Sequence, residues 1–240
     1  MYCLFSLESC DGCGATSSRR RDAERQTNTD AQNVPANRRN RTSPNVANST
    51  ATLPPPTGKN NTIADVVSYA EQCVFMVFTL DENDNPIGQG SGFFINNNGL
   101  AVSNHHVFES GTKWLIKTLD GETHFVKSVL KSSKEFDHVV FEVEMGNKPF
   151  PSLNIATQTP RKGDPILVLG NPRGLESTLT QGVVSSLRED RDLIQIDAAI
   201  SPGSSGGPVM TTDGKVIGIA TKKIRECENC NFAINIQRIK

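Results

Sequence analysis

Long apolar runs are missing from this chain. No stretch approaches the roughly 18 residues needed to span a bilayer, which argues against an obligate membrane protein. An excess of either charge is missing as well: 25 basic against 26 acidic side chains leave a formal charge of −1. Overall electrostatics therefore give no reason to expect nucleic acid or an anionic surface as a partner. The opening MYCLFSLESCDGCG has neither a basic n-region nor a sustained apolar core, so it does not read as a secretory signal, and the cytoplasm is the default location. Histidine is scarce, and only His105, His106, His124 and His138 are available for proton transfer near neutral pH. Helical periodicity is confined to one segment, IADVVSYAEQC, with apolar residues at Ile63, Val66, Val67 and Ala70.

The near-zero charge is an average over unlike parts. Residues 1–60 carry 8 Lys/Arg against 5 Asp/Glu, and residues 61–240 carry 17 against 21. Arg, Asn, Thr, Ser and Pro crowd residues 15–60, which offer almost nothing apolar to offset the entropy of ordering a backbone. Residues 1–60 are expected to form a disordered Arg/Asn/Pro-rich tail, and RRR at 19–21 and RRNR at 38–41 read as its solvated charges. Two C-x-x-C pairs, Cys10/Cys13 and Cys227/Cys230, have the spacing of zinc ligands and together could supply four thiolates. A disulfide within each pair competes with that reading. Free thiols are the default for a chain without export signals. Cys73 opens an apolar strand and reads as a small buried hydrophobe.

From residue 61 the pattern becomes that of a compact, all-β protein. After the single helix come short segments rich in β-branched and aromatic residues: CVFMVFTL, SGFFI, LAVS, WLIKTL, HFVKSVL, HVVFEV, PILVLG, GVVSSL, LIQIDA, PVMTT, KVIGIAT and NFAINI. Turn signals separate them at NNNG 96–99, at Asp120-Gly121 and at TDGK 212–215. The stretch GNKPFPSLNIATQTPRKGD is the least strand-like and divides the segments into two groups. The prediction is two β-barrels, at about 72–148 and about 160–238, within a domain over 61–240. A catalytic cleft would then lie between them.

The strongest local signal is DAAISPGSSGGPV at 197–209, where Ser205 stands among Gly203, Gly206, Gly207 and Pro208. A serine hydroxyl attacks an acyl carbon only if a base takes its proton and backbone N–H groups receive the developing oxyanion, and glycines let a loop turn those N–H groups inward. His105 and His106 follow the LAVS strand, and one of them is placed to be the base. Consecutive side chains point in different directions, so only one can face the serine. Asp137, just before the HVVFEV strand, is the candidate carboxylate to orient the imidazole, whereas Asp120 and Asp164 read as turn residues.

GSGFFINNNGLAVSNHHVFE, FDHVVFEV, LGNPRGLESTLTQGVVSSL and DAAISPGSSGGPVMTTDGKVIGIAT occur in this order, and together they resemble the HtrA/DegP branch of trypsin-like serine proteases over about residues 62–238. The family pattern Thr/Ser-Asn-x-His-Val falls on Ser103 to Val107 and selects His106. Asp-x-x-Val falls on Asp137 to Val140, and Asn/Ser-Ser-Gly-Gly-Pro falls on Ser204 to Pro208. The resemblance implies a double β-barrel (chymotrypsin fold) serine endopeptidase that needs no cofactor. Its triad would be His106, Asp137 and Ser205, and its oxyanion hole the N–H groups of Gly203 and Ser205.

It further implies a substrate pocket based on Ala199, with Gly218, Ile219, Ala220 and Thr221 as a neutral wall. Such a pocket would take small or aliphatic P1 side chains of polypeptide substrates. Trimer formation is implied by the same analogy. Ser204 stands where digestive relatives carry the aspartate that pairs with a newly cut N-terminus, so competence is expected to depend on loop ordering or a partner. The chain stops at QRIK, soon after the last predicted strand, leaving no length for the PDZ domain usual in full-length HtrA enzymes. The alternative function is an inactive or latent trypsin-like fold that serves as a protein-binding module.

Overall fold

A computed structural model describes residues 54–56, 61–146, 148–171, 177–188, 192–221 and 231–239. The predicted tail lies outside these residues apart from 54–56, as do Cys10, Cys13, Cys227 and Cys230. Among the described residues no helix is long and apolar enough to cross a membrane, and no cluster of His, Cys, Asp and Glu is arranged to hold a metal ion.

The predicted helix forms as α1 (Ile63–Cys73). Its start is fixed by a capping box in which Thr62 Oγ1 accepts from Asp65 N while the Asp65 carboxylate accepts from Thr62 N. Val66, Ala70 and Cys73 form its buried stripe. There follow β1 (Val74–Leu80), β2 (Pro86–Phe94), β3 (Leu100–Ser103), the one-turn helix α2 (His105–Phe108), β4 (Lys113–Lys117), β5 (Thr123–Ser133) and β6 (His138–Val143). The second half contributes β7 (Pro165–Gly170), β8 (Thr178–Arg188), β9 (Leu193–Ile196), β10 (Pro208–Thr211), β11 (Val216–Thr221) and β12 (Asn231–Asn235), closing on a 3₁₀ turn (Ile236–Ile239).

The strands form two closed antiparallel barrels of six strands each, ordered β1-β2-β3-β6-β5-β4 and β10-β11-β12-β9-β8-β7. This is the double barrel that the resemblance implies. Two features lay beyond the sequence reading: α2, which carries His105 and His106, and the terminal 3₁₀ turn. At four residues each, both are too short to show a helical period.

Strands with an apolar environment on both faces explain why so many read as continuous apolar runs. In the first barrel Phe75, Phe94, Ala101, Val139 and Phe141 point inward, while Val74, Phe93, Val102 and Val140 point toward the second barrel. The second barrel answers with Leu167, Leu169, Met210 and Ile234 outward and Ile166, Val168, Val209 and Ala233 inward. A layer shared with α1 therefore welds the barrels together. At about 1.5–3 kcal/mol for each large apolar side chain removed from water, this layer holds the two halves in register. The residues brought together across the seam come from both barrels.

Candidate active site

β3 delivers the chain into α2, so that His106 leaves the first barrel at the seam. Asp137 arrives from the other side, immediately before β6, with a left-handed φ of 48° that aspartate tolerates better than most residues. Its backbone carbonyl accepts a hydrogen bond from Asn104 Nδ2 at 2.9 Å. Its carboxylate receives His106 N at 2.9 Å and lies 2.8 and 2.9 Å from His106 Nδ1 through its two oxygens. His105 turns away, with Nδ1 2.7 Å from Ser132 Oγ. His138 opens β6 and is buried, and burial pushes its pKa below the ordinary histidine value.

Thr221, at the end of β11, donates its hydroxyl to Asp137 Oδ2 at 2.8 Å across the seam. Burial pushes the Asp137 pKa up. The hydrogen bonds from the His106 ring and backbone, the attraction of His106 and the Thr221 hydroxyl outweigh it, and the carboxylate is held below the ordinary aspartate range.

Ser205 stands between β9 and β10, and its side of the seam approaches α2 closely. A Cβ built on Gly90 would lie 2.6 Å from Val107 Cγ2 and 3.2 Å from Ser205 O, so no larger residue fits between them. The preceding residues Ser201-Pro202-Gly203-Ser204 close a turn through Ser204 N donating to Ser201 O at 3.0 Å, with Gly203 at φ 98°. Proline second and a positive-φ glycine third are the signature of a type II turn. Ser204, Gly206 and Gly207 each donate their N–H to a carbonyl. Among the described residues, the N–H groups of Gly203 and Ser205 have no acceptor. Among the described residues the Ser205 hydroxyl has no hydrogen-bond partner, His106 included. Catalytic contacts of this kind are often long until substrate is bound.

The predicted pocket residues separate in the structure. Ala199 is exposed, and its carbonyl accepts from Thr180 Oγ1 at 2.9 Å. Gly218, Ile219 and Ala220 are buried inside β11: Ile219 belongs to the layer between the barrels and Ala220 to the core of the second. Of that run, only Thr221 reaches the site, and its hydroxyl serves Asp137. The sequence reading missed Asn104, that role of Thr221, and Asn231, whose Nδ2 donates to Ala198 O at 2.7 Å beside Ala199. It also missed Ser91, which read only as part of the SGFFI strand.

A family profile described as trypsin-like peptidase domain matches residues 90–219. The chain is 35% identical over 164 residues to a Synechocystis protein assigned as the serine protease HhoA, covering 64% of this chain and 41% of that protein. It is 36% identical over 155 residues to the chloroplastic protease Do-like 1 of Arabidopsis thaliana, covering 60% of this chain and 35% of that one. The chain thus spans well under half the length of these relatives. The crystal structure of the serine endoprotease from Yersinia pestis superposes with a TM-score of 0.66 at 27% identity, over 75% of this chain and 64% of that one.

Proposed function

This chain belongs to the trypsin-like peptidase family, and from that premise we propose that it is a serine endopeptidase working through His106, Asp137 and Ser205. The observation that carries the reading is the pairing of a His106 ring gripped by Asp137 with a serine loop whose Gly203 and Ser205 N–H groups lack acceptors among the described residues. With Nδ1–H committed to the carboxylate, Nε2 carries the lone pair and takes the Ser205 proton as Oγ attacks the scissile carbonyl. The negative charge that develops on the carbonyl oxygen is received by the two free N–H groups. His106 then returns the proton to the leaving amine, and water repeats the sequence to release the acyl group.

A fluorophosphonate probe tests the reading directly. The wild-type chain is expected to be labelled at Ser205 and to cleave casein. A folded wild type that does neither would instead be the binding module.

In the pocket that the family resemblance implies, Ala199 supplies no carboxylate to pair with a basic side chain, so the expected P1 residues are small or aliphatic. Profiling against a peptide library should place Ala, Val and their like well above Arg and Lys at P1. Dominance of basic residues there would refute the assignment.

A further inference from the structure

Ser91 lies on β2 in the first barrel, wholly buried, and every polar atom it has is engaged. Its N–H donates to Ser205 O at 2.8 Å, and its own carbonyl accepts from Ser103 Oγ at 2.7 Å. Its hydroxyl stands 2.7 Å from Gly203 O and 3.0 Å from Asn171 N. The direction of these last two bonds is fixed by chemistry. An amide N–H only donates, so Asn171 N–H must point at Ser91 Oγ, and the hydroxyl proton is left for the Gly203 carbonyl.

The two loop residues whose N–H groups find no acceptor among the described residues, Gly203 and Ser205, are the two whose carbonyls Ser91 holds. The segment Gly203-Ser204-Ser205 is thereby clamped at both ends by one residue of the opposite barrel, 112 positions away in sequence. Hydrogen-bond donors stabilise an oxyanion only when already aimed at where its charge develops, and displacement of catalytic groups by about 1 Å can cost on the order of a hundredfold in rate. We propose that Ser91 is a positioning residue for the oxyanion hole, its hydroxyl and amide fixing the separation and aim of the Gly203 and Ser205 N–H groups from across the barrel seam. The inference rests on the serine endopeptidase reading.

Ser91→Ala in the full chain keeps the amide clamp on Ser205 and removes the hydroxyl clamp on Gly203. Rates are compared per fluorophosphonate-titratable Ser205, so that a partly unfolded population does not register as slow chemistry. The expected result is a kcat lowered by about 10- to 100-fold, below the roughly 10²–10³ of losing a hole donor outright, with KM within about twofold. Binding of a peptide boronate, whose tetrahedral oxygen occupies the hole, should weaken by the same factor as kcat/KM. The midpoint of the pH–rate profile should not move, because Ser91 touches neither His106 nor Asp137.

Unchanged kcat per titratable site in Ser91→Ala would overturn the proposal. If that variant fails to fold, Ser91→Cys decides, since a thiol of similar size is a weaker donor: lowered kcat at preserved KM supports the clamp, and wild-type kcat removes it. A folded wild type that neither labels nor cleaves casein overturns the endopeptidase reading, and the clamp with it. A labelled, active wild type with an equally active Ser91→Ala overturns the clamp alone.

Discussion

Ser205→Ala is expected to lower kcat for peptide hydrolysis by about a million-fold while leaving the fold and peptide binding in place. The size of the loss follows from the roles converging on one atom. Without Oγ there is no attacking group, so His106 has no proton to take, and its alignment by Asp137 no longer contributes to the rate. What survives is the residual acceleration of about 10³–10⁴ over water that hole and binding supply without a working triad. The fold should tolerate the change. Ser205 is almost fully buried, its hydroxyl has no hydrogen bond to lose among the described residues, and its carbonyl bond to Ser91 N runs through the backbone.

Because the side chains act as a unit, Ser205→Ala combined with His106→Ala should be little slower than Ser205→Ala alone. Active-site titration with initial-rate kinetics on a peptide substrate measures both. More than about 1% of wild-type kcat remaining in Ser205→Ala, against the loss expected for a triad member, would place the nucleophile elsewhere.

Local rules carried the sequence reading a long way, and its failures share one cause. The spacing of Val66, Val67 and Ala70 and the turn at Asp213-Gly214 are encoded within a few residues, and both elements form where the sequence put them. The choice of His106 over His105 needed the family pattern, since neighbours on one helical turn differ only in direction. What stayed hidden are contacts between residues far apart in the chain: Thr221 with Asp137 is separated by 84 positions and Ser91 with Gly203 by 112. Thr221 and Ser91 sit in strands whose alternation announces burial but not a partner in the other barrel. Ser91 stands between two glycines and Thr221 at the last position of its strand, and neither setting marks a hydroxyl that bonds across the seam. The expected pocket wall meets the same limit of local reading. GIAT reads as one continuous lining, whereas a strand sends alternate side chains to opposite faces, here Ile219 and Ala220 into two different cores.

Asp137→Asn carries the second large effect, an expected loss of about 10⁴-fold in kcat with the fold retained. Asparagine has the shape of aspartate, so its amide oxygen can keep the bond from His106 N at the Oδ1 position, while its amide nitrogen takes the place of Oδ2, where the Thr221 hydroxyl must turn from donor to acceptor. That nitrogen is a donor, and facing His106 Nδ1 it forces the ring proton onto Nε2. His106 then presents an N–H to Ser205 where it needs a lone pair, and the imidazolium formed during attack loses its counter-charge.

The same substitution has a separate signature in acid. The folded-state pKa of Asp137 is held below the ordinary value of 3.8. Such a depressed carboxylate contributes stability in full above its unfolded pKa, and the contribution is lost as pH falls through the folded value. Above pH 5 the wild type should therefore be more stable than Asp137→Asn in urea unfolding. The difference should narrow as the pH drops below about 4, the range in which an unfolded aspartate takes up its proton. A kcat loss smaller than tenfold would show that His106 does not need this carboxylate to choose its tautomer. A stability gap independent of pH would show that the His106 and Thr221 bonds do not favour the ionised form of Asp137.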